Sequence, residues 1–296
     1  MFEMFQLPFM VQAFIATLIT GALLSYLGVH VVGRGIVFVD LALGQISSLG
    51  VAFAAFIGTG LTSIPLIFTL AGALLMSFIN IRDKRLKQEA IIGILYAFAS
   101  ALTVLFISKT AHGDSDIQEV LFGNILSYNF LRNEHHSLFW NVVTNDMVIV
   151  FAAIALLQFV FFKKFFGLTK SFENGENHLV GIFNVWNFLF YISIGLAIVF
   201  AVRVTGVIPV FSFLIIPSVS AIMLSKTNVG VFIISFVISV LGSFFGLLFC
   251  YKNDFPAGSS IVAVLGGLFI IASVYKLLSL AFVKKKGTQS SSTSSH

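Results

Sequence analysis

The chain of 296 residues is 58% hydrophobic and only 10% charged, with a mean hydropathy of +1.03, whereas a soluble domain carries roughly a quarter charged residues; a water-soluble fold is excluded. The net charge of +5 resides in short basic clusters between apolar runs, where topology signals lie, so it points to orientation in a membrane and not to a nucleic-acid partner. Cys250 is the one cysteine, which rules out an intramolecular disulfide and a cysteine metal cluster.

A hydrocarbon core about 30 Å thick needs roughly 20 apolar residues per helix. That template fits at residues 9–30, 36–57, 62–80, 90–109, 147–166, 183–204, 207–225, 229–250 and 260–283. The predicted fold is therefore all-α, a polytopic transmembrane bundle of eight or nine spans occupying residues 1–286, followed by a disordered polar tail at 287–296. The run at 207–225 contains Pro209 and Pro217, so it is expected to be broken or partial, because proline removes backbone donors. Counting nine crossings puts Arg82, Lys84, Arg85 and Lys87, then Lys163, Lys164 and Lys170, then Lys284 to Lys286 on one side, which marks the cytoplasm. Between Ile117 and Phe130, apolar residues recur at helical spacing beside Gln118, Glu119 and Asn124, which suits a short helix at the outer interface.

An ionisable group at bilayer depth is costly and defaults to a functional role. Asp40 is the chief candidate, early in VDLALGQISSLG with Gln45, Ser47 and Ser48 on the same helix. At 100° per residue Asp40, Gly44 and Ser47 share a face, with Gln45 and Ser48 on its neighbour. A carboxylate, an amide oxygen and hydroxyls suit weak ligation of a hard divalent cation in transit. The other arrangements open to these residues are Asp40 as a helix cap or ion-paired with Arg34, and Gln45 as a helix-to-helix hydrogen-bonding residue. His30 suits a satisfied interfacial position, Arg203 a snorkelling one, and His135 and His136 beside Glu134 a solvated loop or a zinc site. Asp254, Pro256 and Gly258 read as a tight outer turn in which Asp254 either caps the last span or serves the entrance. The chain contains no phosphate-cradling G-x-x-x-x-G-K-[ST], no H-E-x-x-H and no G-x-S-x-G, so it is not expected to be an enzyme, and energy for transport must come from a partner or an ion gradient.

Four segments, in order, resemble the permease subunits of the ABC-3 family, bacterial zinc and manganese importers whose plan is similar to that of the vitamin B12 importer permease. They are FVDLALGQISSLGVAF (38–53), EAIIGILYAFAS (89–100), VTGVIPVFSFLIIPSVSA (204–221) and DFPAGSSIVAV (254–264). The resemblance implies a homodimer in the bacterial cytoplasmic membrane, a cytoplasmic ATPase subunit and an extracytoplasmic metal-binding protein. It implies a transported Zn²⁺, Mn²⁺ or Fe²⁺ and no permanently bound cofactor. It also places Pro209, Ser212 and Pro217 along the pathway, and Glu173, Glu176 and Gly181 in the element that engages the ATPase. Many members carry an Asp and a His four apart on the second span; aligned on LGVAF, Gln45 stands at the histidine position and Asp40 one residue early. A permease for haem or another metal chelate, and an ion-coupled secondary carrier, are the rival readings.

Overall fold

The computed structural model describes residues 3–59, 63–78, 88–110, 125–127, 145–174 and 184–292, with side chains described to residue 279. Among them are ten α-helices: α1 (Pro8–Gly33), α2 (Val39–Phe56), α3 (Ser63–Phe78), α4 (Gln88–Ile107), α5 (Asp146–Val160), α6 (Phe162–Glu173), α7 (Val185–Thr205), α8 (Val207–Leu224), α9 (Asn228–Asn253) and α10 (Ala257–Ser292). Seven of these, α1, α2, α4 and α7 to α10, are long and apolar enough to cross a membrane. The outer helix expected at 117–130 lies outside the described residues, apart from a 3-10 turn at Ile125–Ser127.

Helix starts follow the capping chemistry of the sequence. Pro8 opens α1, where its missing N–H costs nothing. The Asn145 side chain accepts from the backbone N–H of Met147 at 3.0 Å to begin α5. The Asn184 side chain accepts from Trp186 and Asn187 at 2.9 and 3.2 Å to begin α7, and Thr227 accepts from Gly230 to begin α9. Between α7 and α8 stands a single residue, Gly206, at φ 83° and ψ 167°, a backbone region open essentially to glycine alone.

Two corrections to the predicted spans have clear physical causes. The apolar run at 147–166 is not one straight helix: α5 stops at Val160, and α6 leaves it at 76°. Along α6, Lys163, Lys164 and Lys170 are exposed while Phe165 and Thr169, four residues apart, are buried; one buried stripe flanked by lysines lays this helix against the bundle instead of through it. In contrast, α8 is continuous across both prolines. Pro209 sits in the first turn, where no intrahelical donor is required, and only Pro217 removes an interior bond.

The helices pack as two groups. In one, α8 and α9 pack on α1, and α10 packs on α8 and α9. In the other, α2 packs on α3 and α4, and α3 packs on α7. Contacts of α1 and α8 with α7 and of α2 with α8 join the two. Small residues set the close approaches: a β-carbon on Gly28 would overlap the Leu214 carbonyl oxygen of α8, and one on Gly50 would lie 2.7 Å from Pro65 Cα of α3. Close backbone approach at small residues is the usual means by which helices associate where lipid removes the hydrophobic drive.

Candidate metal pathway and the polar joint beside it

Asp40 is the second residue of α2 and is only 2% exposed. No side chain among the described residues bonds to either carboxylate oxygen, and the nearby backbone N–H groups of Asp40 and Leu41 do not reach hydrogen-bond geometry. The helix-capping residue is Phe38, which gives no side-chain cap, so Asp40 does not act as the N-cap. It does not pair with Arg34 either: the Nε and one terminal nitrogen of that guanidinium are engaged elsewhere, as described below, and the other terminal nitrogen has no hydrogen-bond partner among the described residues. A buried carboxylate left without a donor is expensive; its position in the first turn of α2 supplies partial compensation from the helix dipole. Gln45, Ser47 and Ser48 are buried on the same helix, and the Ser48 hydroxyl donates to the Gly44 carbonyl at 2.9 Å. A β-carbon at Gly44 would meet Val207 Cγ1 at 3.3 Å and Ile198 at 4.0 Å. The face holding Gly44, with Asp40 and Ser47 on the same stripe, thus looks toward the junction of α7 and α8.

Ser212, buried on α8, donates to the Ile208 carbonyl at 2.9 Å; Pro209 and Pro217 are buried on the same helix. The structure joins α2 to α8 at Val207. Nearly two turns beyond Ser212, at Ser218, the helix turns its polar groups to other neighbours. The Ser218 hydroxyl lies 3.0 Å from the Ser25 carbonyl of α1, which also accepts from Ser235 of α9 at 3.2 Å. This three-helix hydroxyl joint has no counterpart in the expectations from sequence. At the opposite end of the bundle Asp254 ends α9 in the left-handed conformation, φ 53°. It closes α9 instead of capping α10. Asp254 and Pro256 are exposed, and Gly258 is buried in the first turn of α10.

The most developed polar cluster was not legible as a unit in the sequence. Arg34, 6% exposed at the end of α1, donates from Nε to the Thr169 hydroxyl of α6 at 3.2 Å, and from a terminal nitrogen to the Asn187 side-chain oxygen of α7 at 3.1 Å. Its guanidinium carbon lies 3.4 Å from the centre of the Phe190 ring, a cation–π contact in a desolvated setting. His30, wholly buried, meets the same hydroxyl through Nδ1 at 3.0 Å. Thr169 in turn reaches the Phe165 carbonyl at 3.0 Å. A hydroxyl has one proton and two lone pairs, so all three bonds are satisfied when Thr169 donates to Phe165 and both Arg34 and His30 donate to Thr169. The His30 ring is then enclosed by Tyr26, Phe166, Phe190 and Phe232. A β-carbon at Gly33 would lie 2.8 Å from both Thr169 and Glu173, which shows how closely α6 is laid on α1.

Glu173, exposed, is the last residue of α6; Glu176 and Gly181 lie outside the described residues. Nearby, the Gln88 side-chain amide donates to the Tyr191 hydroxyl at 2.8 Å, tying the start of α4 to α7. Gln158 of α5 is 1% exposed, and among the described residues neither amide atom has a hydrogen-bond partner. Among the described residues no three His, Cys, Asp or Glu side chains converge on a possible metal position. His135, His136 and Glu134 lie outside them.

Comparison with known proteins agrees with this architecture. The chain is 27% identical over 288 residues to the manganese transport system membrane protein MntC of Listeria innocua, covering 95% of this chain and 96% of the relative. It is 24% identical over 276 residues to the chelated iron transport system membrane protein YfeD of Yersinia pestis, covering 92% and 87%. The fold matches a chain of PsaBC from Streptococcus pneumoniae, solved in complex with Fab, at a TM-score of 0.70 and 24% identity, over 90% of this chain and 91% of that one. The model of the ABC 3 transport family matches residues 6–276. With that match spanning nearly all of an apolar, multi-helical bundle, the chain belongs to the ABC 3 transport family, as a multi-pass permease of the bacterial cytoplasmic membrane.

Proposed function

We propose that this permease forms the membrane pathway of an ATP-driven importer of a divalent metal ion, Mn²⁺, Zn²⁺ or Fe²⁺. Two copies enclose the path, an ATPase subunit engages the segment after α6, and an extracytoplasmic binding protein delivers the ion to the opposite end. The observation that supports this most is the Asp40 carboxylate, buried without a partner on the α2 face that looks toward α7 and α8. A cation in transit supplies what that carboxylate lacks. Ligation by one carboxylate with neutral oxygens from Gln45, Ser47, Ser48 and Ser212 is weak, as transit requires, because a deep site would trap the ion.

The test is uptake into proteoliposomes containing this subunit with its ATPase and binding protein, with Mn²⁺, Zn²⁺, Fe²⁺ and haem in competition. Saturable, ATP-dependent uptake of one bare ion is expected, with a loss of at least about tenfold in Asp40→Asn. Undiminished uptake in that variant removes Asp40 from the path. Uptake of haem or a chelate alone replaces the bare-ion reading, and uptake that ignores ATP but follows a proton gradient overturns the whole proposal.

A further inference from the structure

A groove of about 1510 Å³ runs between α1, α5 and the start of α6, with Phe232 of α9 on its wall. Among the described residues, apart from Tyr26, Lys163 and Lys164, every side chain lining it is apolar. Its α5 wall extends from Val148 to Val160, a rise of about 18 Å at 1.5 Å per residue. One leaflet of a bilayer contributes about half of a ~30 Å hydrocarbon core, so the groove has the length of a single acyl chain. Among the described residues the charge is all at one end, where Lys163 and Lys164 open α6, exposed, and no carboxylate is in the lining.

Two cations in the first turn of a helix are placed against its dipole, an arrangement that an anion between them relieves. An apolar slot one leaflet deep, ending in two exposed cations at the lysine-rich end of the bundle, is complementary to one molecular class. We infer that this groove binds an anionic phospholipid, with an acyl chain along α5 and the phosphate held by Lys163 and Lys164. A zwitterionic lipid would bring its own cation to the same two lysines and is disfavoured.

Trp186 reports on this site, because its ring lies 4.9 Å, centre to centre, from Phe161, which lines the groove. The chain has two tryptophans, so the Trp140→Phe variant leaves Trp186 as the one indole. The full-length variant is reconstituted in phosphatidylcholine vesicles, and brominated phosphatidylglycerol or brominated phosphatidylcholine is added at equal mole fraction. At roughly fivefold per lysine near an anionic headgroup, the expected half-quenching fraction is roughly thirtyfold lower for the glycerol lipid. Lys163→Gln with Lys164→Gln is expected to abolish that preference, while arginine at both positions keeps it. Lys170→Gln, which removes a cation from α6 outside the groove, is also expected to keep it. Equal quenching by the two lipids overturns the inference, as does a preference that survives the double glutamine variant. Absence of quenching by either lipid overturns it too.

Discussion

Replacing Thr169 by valine removes one hydroxyl and leaves the shape of the side chain almost unchanged, so it isolates the joint between α1, α6 and α7. Two donors lose their acceptor, Arg34 Nε and His30 Nδ1. A hydrogen bond to a charged group is worth about 1.5–3 kcal/mol and a neutral one about 1 kcal/mol, with the larger figures applying when the abandoned group stays buried. The predicted loss is therefore about 3 kcal/mol. Thr169→Ser retains the hydroxyl and gives up one methyl, about 1 kcal/mol. The assay is equilibrium unfolding of the purified subunit in dodecylmaltoside micelles titrated with SDS, followed by far-ultraviolet circular dichroism. A valine variant within about 0.5 kcal/mol of the serine variant refutes the assignment. A double-mutant cycle with Arg34→Met sharpens the test: residues sharing one network should couple by about 1–2 kcal/mol, and strict additivity contradicts the bond between them.

Three further outcomes follow from particular contacts. Gly206→Ala is expected to cost about 1–3 kcal/mol in the same unfolding assay, since φ 83° with ψ 167° suits only glycine; a neutral result would mean that the α7–α8 link relaxes freely. Gly28→Ala is expected to destabilise by more than about 2 kcal/mol, because the added carbon meets the Leu214 carbonyl oxygen, a backbone atom that cannot swing aside. Asp40→Asn is expected to leave stability unchanged or raise it by about 1 kcal/mol, since it neutralises a buried group without a partner. Paired with lost uptake, that sign identifies a residue kept for transport; a marked loss of stability instead identifies a structural carboxylate.

Most of the bundle was readable from the length of apolar runs, because a membrane imposes one length on every span. The burial of Asp40, Gln45, Ser47 and Ser48 followed from their place on a span-length helix. The elbow at Phe161 was not readable: the residues from Phe161 to Phe166 are four phenylalanines around two lysines, and they continue the hydropathy of α5 without a proline or glycine to mark the turn. The joint of Arg34, Thr169 and Asn187 was hidden for a different reason. Its members are separated by 135 and 153 positions, and each alone is an ordinary polar residue near a helix end. Arg34 invited pairing with Asp40, its neighbour in sequence, whereas the fold gave it a hydroxyl, an amide and an aromatic face.

The 76° elbow also sets a mechanical ratio. From Phe161 to Glu173 is twelve residues, about 18 Å of helix, and Thr169 stands about 12 Å along it. A rod pivoting at Phe161 passes about two-thirds of any displacement at its free end to Thr169, the point where it is bolted to α1 and α7. A shift of about 3 Å at Glu173 thus demands about 2 Å at a hydroxyl held by bonds near 3 Å long, so the bolt must either break or carry α1 and α7 with it.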